Sequence, residues 1–438
     1  MPTPTHSLAS RPLALFAFAC AALGGATSEA RESDYEPPSI SLGQNVELRP
    51  SIQYRPRFEL NSGRGDFAPG NNQELISHRA RAGIELRVSS WLVGLFEVWD
   101  VRVWGEERDV IGDDVADGVD IRRVWLELRT PGDGAVRLRV GRQQVGFIDD
   151  QRLIAPAIFA QAGRTLDGVM LRAFAERWEG ALFYFRVSES DAPPVADAPL
   201  PERNFAGAWM RIVKRLSLHF LYDDDLDADL HRFTVGAFYR DAHDFGLRYY
   251  FDAYYQTGTS GSGASKKRIH AFLFGGRLGW RFKVKSKLTL EAAVDVLSGD
   301  ENLDDDTDRA FNTLFNAGHR HYGLMDYFLA QPRDNGGRGL FDGGLRMQVW
   351  PLPLLDVVAQ FHHFRFTAPW IEADGRRTNA VGNELDVQVT LQLHRYFAIR
   401  VAFGAFTPDR GVTCVRGGCR DGAPTEYLGY LEMNLDIR

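Results

Sequence analysis

From residue 44 onward, polar and apolar residues alternate with a period of two, the pattern of strands whose two faces meet different environments. Between residues 76 and 89, Arg79, Arg81, Glu85 and Arg87 share one face, and Ala80, Ala82, Ile84, Leu86 and Val88 take the other. Between 384 and 393, Glu384, Asp386, Gln388, Thr390 and Gln392 oppose Leu385, Val387, Val389, Leu391 and Leu393. Segment 134–143 sets Arg137 and Arg139 against Val136, Leu138 and Val140. The pattern predicts 18 strands, at 44–60, 76–89, 91–104, 119–129, 134–143, 165–174, 178–187, 204–213, 215–222, 231–240, 245–256, 268–282, 286–298, 341–350, 354–366, 381–393, 396–406 and 425–438.

The connections alternate in length. Short ones fall at 89–90, 130–133, 175–177, 214, 241–244, 283–285, 351–353 and 394–395; long ones fall at 61–75, 105–118, 144–164, 188–203, 223–230, 257–267, 299–340, 367–380 and 407–424. An even number of strands with short turns on one side and long loops on the other predicts an all-β fold, a transmembrane antiparallel β-barrel with periplasmic turns and extracellular loops. A soluble sandwich would bury its apolar faces inside and has no reason to sort its loops. Trp91, Trp99, Trp104, Trp280, Trp350, Tyr396, Phe397 and Tyr427 lie near strand ends, as interfacial girdles require.

The N-terminus changes the picture only in where the chain is delivered. Arg11, the apolar run from Leu13 to Leu23 and the small residues up to Ala26 and Ala30 form a secretory signal, cleaved after one of those alanines. Phe18 fits poorly in a lipidation box before Cys20. The chain therefore divides into a leader (1–30), a periplasmic segment (31–43) and a barrel (44–438), delivered to the outer membrane of a Gram-negative bacterium. Beyond residue 30 no stretch approaches the roughly 20 apolar residues of a spanning helix.

The net charge of −7 argues against a nucleic-acid partner. Arginine outnumbers lysine 45 to 6, so placement matters. Strand parity turns inward Arg55, Arg57, Arg79, Arg81, Arg87, Arg102, Arg123, Arg137, Arg139, Arg186, Arg211, Arg248 and Arg400, with Glu59, Glu85, Asp100, Glu127, Asp252, Glu291, Asp295, Glu384 and Asp386 among the acids. Arginine rings select anions in pores; the alternative is that these charges pair into networks that stiffen the wall. The acidic run Asp300, Glu301, Asn302, Asp304, Asp305, Asp306 and Asp308 could hold calcium, but it lacks the glycine and glutamate of the EF-hand loop and reads better as a solvated loop. Cys414 and Cys419 are spaced for one small disulfide. Nothing calls for a cofactor. No nucleophile or zinc motif accompanies His362 and His363, the only pair that an outer-membrane hydrolase could build on.

Several ordered motifs resemble the alginate-export family of outer-membrane porins. They are Gly141, Arg142 and Gln143; Asp150 to Leu153; Gly163 to Val169; Asp100 to Gly105; Ser298 to Asp300; Phe311 to Phe315; Gly318 to Gly323; His362 to Phe364; and Gly382 to Asp386. The resemblance implies 18 strands, in agreement with the independent count, and a polysaccharide export pore with an arginine-lined constriction that passes a polyuronate. It puts Arg142, Arg152 and Arg164 at matching positions, with Asp167 as an ion-pair partner, and brings Arg142 to the lumen although parity alone places it on the lipid side. Some members plug the pore with a long periplasmic turn, for which 394–395 is too short, and the chain ends on Asp436, Ile437 and Arg438 without the usual terminal aromatic. The leading expectation is a conduit for an anionic poly- or oligosaccharide, working with the lipid bilayer and periplasmic export components. A general porin for small anionic nutrients is the alternative, and a hydrolase the third.

Overall fold

The computed structural model describes residues 39–63, 65, 67, 72–104, 118–148, 151–187, 203–226 and 228–438. The expected leader, and residues 31–38 of the expected periplasmic segment, lie outside the described residues.

Eighteen antiparallel strands follow in chain order. They are β1 (Val46–Asn61), β2 (Gln73–Val88), β3 (Leu92–Val103), β4 (Gly118–Arg129), β5 (Val136–Gln143), β6 (Leu166–Phe174), β7 (Trp178–Arg186), β8 (Arg203–Ile212) and β9 (Leu216–Asp225). The second half comprises β10 (Leu230–Ala242), β11 (Leu247–Ser260), β12 (Lys267–Arg281), β13 (Thr289–Leu297), β14 (Leu340–Leu352), β15 (Leu355–Ile371), β16 (Arg377–His394), β17 (Phe397–Pro408) and β18 (Glu426–Ile437). Each pairs with the next, and β18 returns to β1 through Ile52↔Ile437 to Asn61↔Leu428. Closure satisfies the backbone without an edge, which a sheet in hydrocarbon requires. Pro56 interrupts the closing ladder, since it has no N–H to give. Side chains reinforce that seam from the lumen: Gln53 Nε2 donates to Asn434 Oδ1 (3.0 Å) and Asp436 Oδ2 (2.9 Å), and Arg55 and Arg57 face Glu432.

Burial is inverted relative to a soluble protein. Leu126 and Leu345 are each 61% exposed, whereas Arg79 and Arg122 are 1% and 2% exposed. The apolar face therefore looks outward to lipid and the charged face inward. Exposed Trp91, Trp178, Phe245 and Trp280 band the short-turn end, while Trp104, Tyr184, Tyr255 and Tyr427 band the other. Trp99 belongs to neither girdle: it pairs with Arg81 across β2 and β3 and points into the lumen.

Three expected loops are shorter than the alternation implied, because β9–β10, β11–β12 and β15–β16 continue upward as hairpins, leaving connections of 226–229, 261–266 and 372–376. Above the bilayer a strand needs no apolar face, so alternation fades there while pairing persists. Ile40–Ser41 pairs with Leu48 and Glu47 beside the foot of β1. No helix among the described residues is long and apolar enough to cross a membrane.

An arginine on the lipid face should be costly. Leu345→Arg, near the middle of β14, is expected to lose about 2–4 kcal/mol, measured by reversible unfolding in lipid vesicles. Thr390→Lys, on the inner face of β16, is expected to lose less than about 1 kcal/mol.

Candidate functional site in the lumen

Three connections between strands fold back into the barrel and pack as a plug. The described residues of 62–72 and 144–165, with residues 298–339, contribute Phe67, Ile154, Phe311, Phe315, Tyr322 and Phe328 to a buried apolar cluster shared with wall residues Phe183, Phe205, Phe364 and Phe406. Phe205 meets Phe315 edge to face (4.9 Å between centroids), and Phe328 packs on Phe364 at 4.9 Å.

The plug brings backbone polar groups into a dry interior, where each needs a partner. Charged wall residues supply them. Arg55 donates to the carbonyls of Ile158 (2.7 Å), Phe159 (2.9 Å) and Ala160 (3.0 Å) and to Gln161 Oε1. Arg57 donates to Phe159 O at 2.8 Å, and Arg79 to Gln161 O at 3.2 Å. Three strands along the wall, on β16, Glu384 accepts the N–H of Met325 (2.9 Å) and Asp386 that of Leu324 (3.1 Å). Gly323, at φ +86°, permits this approach: a Cβ there would stand 2.1 Å from Glu384 Oε1. Glu426 accepts from the N–H groups of Gly65 and Phe67, both at 2.8 Å, and from the Tyr327 hydroxyl.

Arg152 and Arg164 belong to the plug itself. Arg152 is buried between Asp252 (2.8 Å) and Asp295. Burial alone would depress its guanidinium, but Asp252 and then Asp295 outweigh that and hold its pKa above the ordinary arginine value. Arg164 Nη1 donates to the carbonyls of Ala155, Phe315 and Asn316, tying two connections together. Cys414, in the last turn of the short helix Arg410–Val415, is disulfide-bonded to Cys419, and Arg416 donates to Tyr327 O.

Below the plug, toward the short turns, the wall of β2–β8 carries a ladder of arginines. Arg139 pairs with Glu127 and lies over Trp125 (3.9 Å); Arg172 lies over Phe147 (3.9 Å), and Arg137 over Phe174 (4.6 Å). At its top, Arg122 (2.6 Å) and Arg123 (2.6 Å) share Glu97. Arg81 stands beside them, buried, with Nε and Nη2 lacking hydrogen-bond partners and its guanidinium 5.9 Å from the Trp99 ring centre. Parity had turned only Arg123 inward. A β-bulge opposite Glu97 and Val98 inserts one residue into β4 and turns Arg122 inward as well.

Five expected lumen residues point the other way, among them Arg186, which shares the face of exposed Leu182 and Tyr184 on β7. Asp100 and Arg102 share the face of exposed Phe96 on β3; Arg102 pairs with Asp100 (2.7 Å), which also meets His78 (3.2 Å). Arg142 and Asp167 form an ion pair (2.9 Å) on the face that carries exposed Val140 and Val169. Unbroken pairing register through these strands places all five on the membrane side near the long-loop end, so parity decides Arg142 against the position that the motif implied.

The acidic run does not gather around one point. Asp300 accepts the N–H groups of Asn302 and Arg309, Asp305 that of Thr307, Asp308 that of Ala310, and Asp306 pairs with Arg268. The amide of Asp304 bonds to the Asn302 side chain. His362 is buried against Asp342 (2.9 Å) and stacked on Phe364, while His363 bonds Asn383 (2.8 Å).

The family model described as alginate export matches residues 46–411. A search of curated proteins found no match. Among solved structures, OccAB1 of Acinetobacter baumannii aligns with a TM-score of 0.61 at 13% identity, over 89% of this chain and 97% of that one. The outer membrane protein OpdK of Pseudomonas aeruginosa aligns at 0.58 and 11%, over 89% and 98%. Pseudomonas aeruginosa OccK2 (OpdF), in complex with glucuronate, aligns at 0.55 and 13%, over 89% and 98%. These likenesses identify the fold, a closed 18-strand barrel of the Gram-negative outer membrane.

Removing one clasp should release part of the plug. Arg55→Ala strips partners from three carbonyls and Gln161, and breaking such a buried charged contact costs about 3–5 kcal/mol. Amide exchange across 153–165 is expected to accelerate at least about 100-fold, while that of β9–β12 stays unchanged; equal exchange in both regions would contradict the clasp.

Proposed function

The chain belongs to the alginate-export family, and from that premise we propose that it is an outer-membrane conduit for an anionic polysaccharide of the polyuronate class. The arginine ladder beneath the plug carries the polymer's carboxylates. The observation that bears most on this reading is the group at the top of that ladder, where Arg81, Arg122 and Arg123 gather around a single carboxylate, Glu97. Positive charge crowded in a dry wall is relieved by an anion. Arg81 has donors to offer it, since two of its nitrogens lack partners.

Movement along the ladder follows from the way each arginine is held. Arg139, Arg172 and Arg137 lie over aromatic faces, which fix the guanidinium plane, and Arg139 is also held by Glu127. A carboxylate can exchange part of its hydration for these donors and pass to the next site without a deep well, the condition for conduction. OccK2, on the same fold, was crystallised with glucuronate, a monomer of the same chemical class.

A second reading rests on the plug. Three packed connections, clasped by Arg55, Glu384 and Glu426, narrow the outer half of the lumen, which favours small anions over a chain unless those connections move. Single-channel recording with an oligogalacturonate separates the two. A polyuronate conduit is expected to be blocked in a concentration-dependent manner, and Arg81→Gln should shorten each block about tenfold. A channel that conducts chloride while ignoring the oligomer supports the small-anion porin, and block times unchanged by Arg81→Gln remove that residue from the path.

A further inference from the structure

The two mouths of the barrel differ in charge. At the periplasmic end, the turn between β12 and β13 carries Lys283, Lys285 and Lys287, half of the chain's six lysines. Alternation along this edge takes Trp280, Phe282 and Val284, all exposed, to the membrane side. Arg281 and Lys283 fall on the opposite, lumen side. Lys283 and Lys285 are exposed, and among the described residues no carboxylate is paired with any of the three lysines or with Arg281. Lys214, in the turn between β8 and β9, adds another exposed cation at this end.

The other mouth has a different balance. Several of its basic groups are engaged by carboxylates, Arg268 with Asp306, Arg309 with Asp305, and Arg410 with Glu372 and Asp421, while Lys266 is an exposed cation at this end. In sequence, the connection from β3 to β4 adds Glu106, Glu107, Asp109, Asp113, Asp114 and Asp117 against Arg108 alone. The long-loop end therefore repels a polyanion that the lysine turn attracts.

We propose that Lys283, Lys285 and Lys287 form a capture patch for polyanions at the periplasmic mouth, so that the conduit admits polyuronate preferentially from the periplasmic side. This rests on the polyuronate reading above. The choice of lysine suits capture. An ammonium is a compact, strongly hydrated point charge, whereas the guanidiniums deeper in the lumen bind with fixed planar geometry. Such a patch raises the rate of encounter more than the affinity. Its reach is about 8 Å at physiological salt, enough to guide a chain end toward Arg281 and the wall above it. Fixed charge cannot drive net transport: whatever speeds entry from one side speeds return to it. With polymer supplied from the periplasmic side, the patch raises export flux and the gradient supplies the direction.

The test uses the full chain in a planar bilayer with known orientation, and an oligogalacturonate added to one side at a time. At 0.15 M KCl, block frequency from the periplasmic side should exceed that from the outer side by about tenfold, and the difference should vanish at 1 M. The triple variant K283Q/K285Q/K287Q should bring the periplasmic frequency down to the outer value, with open-channel conductance and block duration unchanged. Equal frequencies from the two sides, or a triple variant that behaves as wild type, overturns the patch. Absence of block from either side would count against the polyuronate conduit, and the patch is then decided by binding of labelled oligogalacturonate to purified protein in detergent. Salt-sensitive binding lost in the triple variant sustains the patch, and binding unaffected by the variant overturns it. Preferential retention of phosphatidylglycerol by wild type over the triple variant, with equal oligogalacturonate binding, would assign the lysines to the membrane surface and overturn it likewise.

Discussion

A backbone N–H or C=O left unpaired in hydrocarbon costs several kcal/mol, and this constraint organises the whole protein. It requires the sheet to close, so β1 meets β18 although Pro56 leaves a gap in that ladder, and Gln53, Asn434 and Asp436 reinforce the seam. Closure assigns one face of every strand to lipid and the other to the lumen. The same requirement then acts inside the barrel. Connections that fold inward bring their own peptide groups into a dry space, and those groups are met by Arg55, Arg57, Glu384, Asp386 and Glu426.

Wall charges therefore serve two purposes at two heights. In the outer half they are partners to plug backbone or to plug side chains, as Asp252 is to Arg152, and they hold a folded unit whose apolar centre is made of Phe67, Phe315, Phe328 and their neighbours. In the inner half the arginines of β2–β8 are braced by aromatic rings and by a smaller number of glutamates, which leaves that wall positive. A barrel of 18 strands is wide enough to hold a channel; the plug makes its bore a property of the loops rather than of the strand number. The net acidity of the chain is compatible with a basic lumen because much of the acid lies in the long connections.

Most of the barrel was legible in the sequence, since alternation across a bilayer is imposed by solvent and leaves few exceptions. Its failures are local and physical. A one-residue bulge at Arg122 reverses parity without a sequence mark, whereas β5 keeps its register with both neighbours and leaves Arg142 outward. Asp100 and Arg102 were assigned inward although Val101 and Val103, between and beside them, are the buried residues of that strand end. Near the rim a polar pair can face outward into headgroups, so polarity stops reporting the inner face. The plug could not be read at all. Nothing in residues 144–165 or 298–339 specifies whether they pack inside or stand in solvent, beyond an unusual density of aromatics in Phe311, Phe315, Tyr322, Tyr327 and Phe328.

The most direct test of the central claim, that an arginine wall sets the path of charge through this barrel, is the reversal potential of the refolded wild-type channel across a tenfold KCl gradient. The expected potential is displaced toward that of chloride, with the displacement shrinking as total salt is raised. A potential at zero, or displaced toward potassium, would mean that the lumen arginines are neutralised by their neighbours, and would contradict it.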